Sequence, residues 1–301
     1  MDALIPTHDP DTLVERAGVP DPTPAPDEAL IEVAAFSINR GEVLLLRGAP
    51  RENWRPGADV AGRVVEAAAD GTGPAAGTRV AAHAEQGGWA ERVAVRTDAV
   101  APLPHAVSFE EAATLGVAAL TALRLLRRVG DVAGRRLLVT GASGGVGHFL
   151  TELAVTRGAE VTAVSHRGDR LRALGAHVLD TIGDGPYDVA FESVGGDSLP
   201  AAIAATARGG TVVWFGQASG EPSTLAFGAT MAGGPPAAIV PFSYWQTGAS
   251  DGADLATLVG LVARHHLHPE IGIVEDWAQT PRLLRALADR ELTGKAVLRV
   301  S

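Results

Sequence analysis

The stretch Leu137–Phe149, L-L-V-T-G-A-S-G-G-V-G-H-F, decides the fold. An apolar run, Leu137-Leu138-Val139, enters a turn rich in glycine, and a helical stretch, Phe149–Arg157, leaves it. A buried strand, a tight turn and a helix start in that order aim backbone N–H groups and the positive helix end at a phosphate. Glycine suits the turn because a side chain there would hold the backbone away from a pyrophosphate. The residues that would form the cradle are Ala142, Ser143, Gly144, Gly145, Val146 and Gly147, with the N–H groups of Val146 and Gly147 on the phosphates. Their spacing is Ala142-x-Gly144-x-x-Gly147, so an alanine replaces the first glycine of the dinucleotide fingerprint. Taken alone, that pattern fits a plain turn equally well, and its flanks decide between the two.

Downstream, the pattern alternates between strand and helix. Strands are expected at Glu160–Ser165, His177–Asp180, Asp188–Phe191, Thr211–Phe215 and Ala237–Phe242, with helices at Asp169–Leu174 and Ser198–Ala207 between them. This is the signature of a doubly wound parallel α/β sheet. Upstream, short strands at Ala3–Pro6, Ala29–Ala35, Arg63–Ala67, Gly77–Ala81 and the segment after Gly87-Gly88 are separated by turns, which indicates a β-rich unit. Within Ala29–Ala35, Glu32 is expected to turn outward. Prolines at 20, 22, 24 and 26 make an extended connection. Ser108-Phe109-Glu110-Glu111 starts a helical run over Ala112–Arg128 with a capping pattern and marks the change of character. Helices at Ala253–His265 and Pro281–Ala288 and a strand at Ala296–Val300 close the chain. The expected division is residues 1–108 with 246–301 as one domain and 109–245 as the dinucleotide-binding one.

Bulk properties narrow the function. A chain of 301 residues can bury a sizeable core in two domains. A net charge of −10 opposes a nucleic-acid or anionic-membrane partner, since both would repel it. No apolar run reaches the ~18 residues of a membrane span, and no secretory signal opens the sequence, so a cytoplasmic setting is expected. There is no cysteine, which removes disulfides and thiolate zinc sites. His265, His266 and His268 have metal-like spacing but fall at a helix end, where imidazoles suit the negative dipole; no metal is expected.

The cofactor is read at the end of the second strand. NAD-selective units place an acid about 20 positions beyond the glycines to bind the ribose 2′-OH. Here Ser165 stands in that region, with His166, Arg167 and Arg170 after it. Guanidinium groups suit a phosphate dianion, so NADPH is expected over NADH.

These motifs together resemble the medium-chain dehydrogenase/reductase superfamily, in its zinc-free, quinone oxidoreductase-like branch. The resemblance rests on Ile38-Asn39 with Glu42, Pro56–Gly62, Gly87–Glu91, Val139–Gly147, Asp188–Gly196 and Gly294–Leu298, in that order, and covers nearly the whole chain. It implies a Rossmann domain inserted into a GroES-like β-rich catalytic domain built from both chain ends. Asn39 stands where zinc-dependent relatives have a cysteine, and Ala58 where they have a histidine, so metal-free chemistry is implied. It further implies that Gly216, Gln217 and Ala218 approach the nicotinamide ribose. Leu44 and Leu45 lie where many relatives have a tyrosine, and Thr181 replaces a cofactor-contacting tyrosine.

The reaction implied is hydride delivery from NADPH to an activated double bond of a small molecule, an enone, a quinone or a related alkene. The alternatives are an imine-reducing or other natural-product tailoring reductase, and a cofactor-binding sensor without turnover. Asn39 is the leading catalytic candidate, as an amide donor to a developing oxyanion; its alternative is a backbone cap. Tyr244 is the second, as a proton donor, against a packed wall. Trp89 is expected to line the substrate pocket or to pack in the core. Glu42 and Asp59 are expected to hold local backbone rather than act as acids. The apolar edge strand Ala237–Phe242 is expected to be covered in a homodimer.

Overall fold

The computed structural model describes residues 1–7, 9, 11–48, 53–226, 237–248 and 250–301. The chain forms two compact units, Met1–Leu120 with Ala249–Ser301, and Thr121–Gly248.

Strands β1 (Asp2–Pro6), β2 (Val14–Gly18), β3 (Glu28–Ser37), β4 (Asp59–Glu66), β5 (Arg79–His83), β6 (Arg92–Arg96) and β7 (Val100–Pro102) belong to the first unit. The second holds β8 (Arg136–Val139), β9 (Glu160–Val164), β10 (His177–Leu179), β11 (Tyr187–Glu192), β12 (Thr206–Trp214) and β13 (Ala238–Pro241). The chain then returns to the first unit for β14 (Ile271–Asp276) and β15 (Lys295–Arg299).

In the first unit the organising strand is β3. Its apolar residues Ala29, Ile31, Val33 and Phe36 are buried while Glu32 is exposed, as its sequence pattern requires. One edge of β3 pairs with β4; the other is shared, Glu28–Glu32 pairing with β6 and Ala35–Ser37 with β15. Register shifts in the β3–β4 ladder bend the strand, which lets two partners follow one another along it. The full order is β14-β15-β3-β4-β5-β7, so the last strand of the chain lies beside β3. Trp89, Trp277, Phe36 and Ile31 anchor the core. Three strands that the sequence pattern does not announce complete the unit: β2, β7 and β14 are short or only partly buried.

The segment expected as a short apolar stretch is helix α1 (Arg40–Arg47), which buries Glu42, Val43 and Leu46 and exposes Leu44 and Leu45. The helical run after Ser108 is broken: α2 (Phe109–Ala112), a π-helical turn (Leu115–Ala119) and α3 (Leu120–Val129). Ser108 caps α2 reciprocally with Glu111, as the sequence indicates. The break moves the domain boundary: α2 and the π turn belong to the first unit, so the division falls at Leu120 rather than at Ser108, and the return at Ala249 rather than at Gln246. The cause is a carboxylate on β4, Asp59, whose Oδ1 accepts the N–H of Val117 and ties the π turn to that strand.

The second unit is a six-stranded sheet of order β10-β9-β8-β11-β12-β13, parallel throughout. Counted within the unit this is 3-2-1-4-5-6, the doubly wound order in which ligands bind where strand order reverses. That reversal lies between β8 and β11. Helices α4 (Gly145–Thr156), α5 (Asp169–Ala173) and α6 (Ser198–Ala205) connect the strands, and α7 (Asp251–Ala263) and α8 (Thr280–Ala288) belong to the first unit. Among the described residues no helix is long and apolar enough to cross a membrane.

Candidate active site

The candidate nucleotide site is built from loops at the carboxyl ends of β8, β9, β11 and β12. After β8 the chain turns at Gly141 (φ 59°), and the N-cap of α4 is Gly144, which provides no side-chain cap. The first N–H groups of a helix have no intrahelical partner, so this start is open to an anion. Gly147 is required by close packing: a Cβ there would lie 2.5 Å from the carbonyl O of Gly141 and 2.6 Å from Cα of Ala142. Ala142, in the first fingerprint position, is itself buried and its N–H donates to Val164 O of β9 (3.2 Å). Glycines without side chains and an uncapped twelve-residue helix at the switch point fit a pyrophosphate.

One residue that pattern reading left without a role organises these loops. Glu192, fully buried at the end of β11, accepts from Thr140 Oγ1 (3.1 Å) and from the backbone N–H groups of Val194 (2.9 Å) and Gly195. Thr140 Oγ1 in turn accepts from Ser193 N (3.0 Å), so the β8 and β11 loops are clamped together. The β12 loop joins them: Ala218 N donates to Ser193 O (2.9 Å), and a Cβ on Gly216 would meet that same oxygen at 2.9 Å. Gly216, Gln217 and Ala218 are thus held at the reversal point. A carboxylate ending an otherwise apolar strand, Val189-Ala190-Phe191-Glu192, was the available signal.

At the end of β9, Ser165 is buried and its Oγ accepts the N–H of Arg167 (3.0 Å). His166 is exposed, 3.6 Å from Asp180, and Arg167 and Arg170 are exposed beside it. No acid occupies the position at the strand end.

The other polar constellation lies wholly in the first unit. Asp59, at the start of β4 and 0% exposed, accepts from Ser37 Oγ (2.7 Å), Asn39 Nδ2 (2.9 Å), Val117 N and Lys295 Nζ (3.3 Å). Lys295, at the start of β15 and 5% exposed, also donates to Ile38 O (3.1 Å) and Asn39 Oδ1 (2.5 Å). Its three protons therefore meet three acceptors. Glu42 reaches from α1 to accept from Gly57 N (3.1 Å), Ala58 N (3.0 Å) and Asn39 N (2.9 Å). Burial, and then the charge of Asp59, push the Glu42 carboxyl up to about 7 against the N–H donors and Lys295. Burial would also raise Asp59, but Lys295 and the donors from Ser37, Asn39 and Val117 hold it below its ordinary value. The fit is tight: a Cβ on Gly116 would lie 2.2 Å from Asp59 Oδ1.

Within this network Asn39 is the N-cap of α1 in a capping box with Glu42. Its Nδ2 points to Asp59 and Glu42 and its Oδ1 to Lys295. Glu42 and Asp59 hold backbone, as expected for them. Trp89 is wholly buried, stacked on Phe36 at 5.6 Å with Nε1 donating to Ser37 O (3.4 Å), which is the packing role weighed against a pocket wall. Tyr244 lies in the second unit in a short 3-10 turn, half-buried, with its ring edge-on to Trp245 at 5.1 Å.

Two family sequence models match the chain. One described as "Alcohol dehydrogenase GroES-like domain" covers residues 25–105, and one described as "Zinc-binding dehydrogenase" covers residues 158–298. The donor set does not fit the zinc of that description: the sequence has no cysteine, Ala58 offers no ligand, and the Asn39 amide is engaged by Asp59, Glu42 and Lys295. Among the described residues no three His, Asp or Glu side chains converge. The chain is 32% identical over 232 residues to the quinone oxidoreductase of Mus musculus, covering 69% of this chain and 70% of that one. It is 32% identical over 299 residues to a spectinabilin polyketide synthase system protein of Streptomyces orinoci; the match covers 91% of this chain and 13% of that much longer protein. Among solved structures, a mycobacterial protein in complex with NADPH superposes with a TM-score of 0.88 at 26% identity, covering 99% of both chains.

Proposed function

Since the chain belongs to the quinone oxidoreductase-like branch of the medium-chain dehydrogenase/reductase superfamily, a group of oxidoreductases, we propose that it is an NADPH-dependent reductase acting on an activated double bond or quinone without a metal. The observation that carries the proposal is the end of β9, where Ser165 takes the place of the ribose-binding acid and Arg167 and Arg170 supply guanidinium groups. The mycobacterial structural neighbour solved with NADPH supports the same cofactor.

When bound, NADPH supplies the hydride. The chain's own residues orient it: the α4 N-terminus and the Gly144–Gly147 backbone hold the pyrophosphate, and the loops clamped by Glu192 hold the nicotinamide end. Asn39 acts in this reading by holding the α1 N-terminus in place, because its amide is committed to Asp59, Glu42 and Lys295. The α-carbon proton then comes from water, or from the phenol of Tyr244. Leu44 and Leu45 leave the same helix 63% and 53% exposed, which favours an apolar acceptor over a charged one.

The edge strand β13, with Ile239 36% exposed and Trp245 beyond it 70% exposed, supports a homodimer. A monomer by light scattering at micromolar concentration would overturn that part. The activity is tested by following NADPH absorbance with a panel of enones, quinones, enoyl thioesters and cyclic imines. Oxidation with an enone or quinone above the rate of unassisted NADPH decay is expected. Tight NADPH binding with no oxidation would leave a cofactor-binding protein instead, and turnover of imines alone would favour the tailoring reading.

A further inference from the structure

We propose that the first unit carries a second ligand site, anchored by Arg55, that binds a small oxyanion, a carboxylate or a phosphate. A cavity of about 440 Å³ lies in this unit, of a size suited to a small molecule. Its wall holds Arg55, His83, Gln86, Arg92, Asp98 and Asp251.

Most charges around it are already matched. Arg92 pairs with Asp21 (2.8 Å), Arg96 with Asp98 (2.7 Å) and His83 with Asp251 (2.9 Å). Arg55 is different: the residue is half-buried, yet among the described residues its guanidinium makes no hydrogen bond or ion pair. A partly desolvated guanidinium without a partner is costly, and a planar fork of donors is matched by a carboxylate or phosphate oxygen pair. Two acids in the wall form no ion pair among the described residues: Glu28 accepts the N–H of Ala25 (2.8 Å), and Glu85 is exposed and keeps its hydration.

The group is also held in place. Arg55 O accepts Gly87 N (2.9 Å), and Gly57, two residues on, has φ 118° with no room for a Cβ, which would lie 2.2 Å from Trp89 N. The backbone from Arg55 to Gly57 is therefore fixed against the Gly87–Trp89 turn, and Arg55 lines the cavity from that support. Gln86, whose side chain carries an amide, lines the same wall. All of its lining residues belong to the first unit, and the nucleotide loops belong to the second.

The test is calorimetric titration of the full chain with inorganic phosphate and, separately, with succinate. Saturable binding of either is expected, weakened by about tenfold or more in Arg55→Met and unchanged in Arg282→Ala, which removes an exposed guanidinium elsewhere in the same unit. Arg55→Lys keeps the charge without the fork and is expected to bind between the two, with melting curves confirming that each variant folds. Binding of phosphate alone or succinate alone fixes the class of oxyanion and supports the site. Absence of binding by both, equal affinity in Arg55→Met, or an equal loss in Arg282→Ala would overturn it.

Discussion

Replacing Lys295 by methionine isolates the buried network of the first unit. Methionine fills similar volume, so the change removes charge and donors with little loss of packing. Three acceptors lose a partner: Ile38 O, Asn39 Oδ1 and Asp59 Oδ2. Breaking a buried ion pair from one side costs about 3–5 kcal/mol because the other charge stays buried. Ser37, Asn39 and Val117 still donate to Asp59, which puts the expected loss toward the lower end, about 3 kcal/mol. That is a large share of the roughly 5–15 kcal/mol by which a domain is stable. Urea denaturation followed by tryptophan fluorescence reads it, since Trp89 and Trp277 are both buried in this core. The companion variants are Asp59→Asn and the double variant Lys295→Met with Asp59→Asn. If the two charges meet as described, the double variant is less destabilised than the sum of the singles by more than about 1 kcal/mol. A loss below about 1 kcal/mol for Lys295→Met, or additivity within about 0.5 kcal/mol, would refute the reasoning.

Glu42 sets a pH dependence with a definite sign. Its carboxyl is raised from 4.5 to about 7 in the folded chain, so its contribution is fully present below 4.5 and is lost as pH rises through 7. Glu42→Gln lacks this slope, and the stability gap between wild type and variant should shift toward the variant by roughly 2–3 kcal/mol between pH 5 and 8; parallel pH profiles would contradict it. Gly116→Ala places a methyl against Asp59 Oδ1 and should cost about 3 kcal/mol in thermal or urea melts, whereas a neutral result would show that the π turn can shift. Arg167→Ala should raise the KM for NADPH about tenfold and leave that for NADH unchanged; equal effects on both cofactors would remove the argument from the β9 end.

The dinucleotide unit was legible in the sequence because parallel strands buried on both faces read as unbroken apolar runs, such as Leu137–Val139 and Val189–Phe191, with glycine turns between them. In the first unit β3 was legible as an apolar run with Glu32 turned outward, but β2, V-E-R-A-G, β7, V-A-P, and β14, I-G-I-V-E-D, carry little pattern because each is short or half-exposed. The domain boundary was displaced because a capped helical run looks continuous, and only the long-range bond from Asp59 to Val117 shows which unit holds its first turns. The same limit hides the network. Asn39, Asp59 and Lys295 are distant in sequence and meet because β15 pairs with β3 and β4 pairs beside it. A lone lysine opening the apolar strand Lys295-Ala296-Val297-Leu298 and an aspartate opening Asp59-Val60-Ala61 were the only hints, and neither names its partner.

The central claim, hydride delivery from NADPH to a substrate carbon, is tested most directly by isotope transfer. Turnover of an enone with NADPH deuterated in turn at each face of nicotinamide C4 is followed by NMR of the product. Deuterium from one of the two cofactors should appear at the β-carbon, with the α-hydrogen drawn from solvent. Oxidation of NADPH with no deuterium in the organic product from either cofactor would contradict the account.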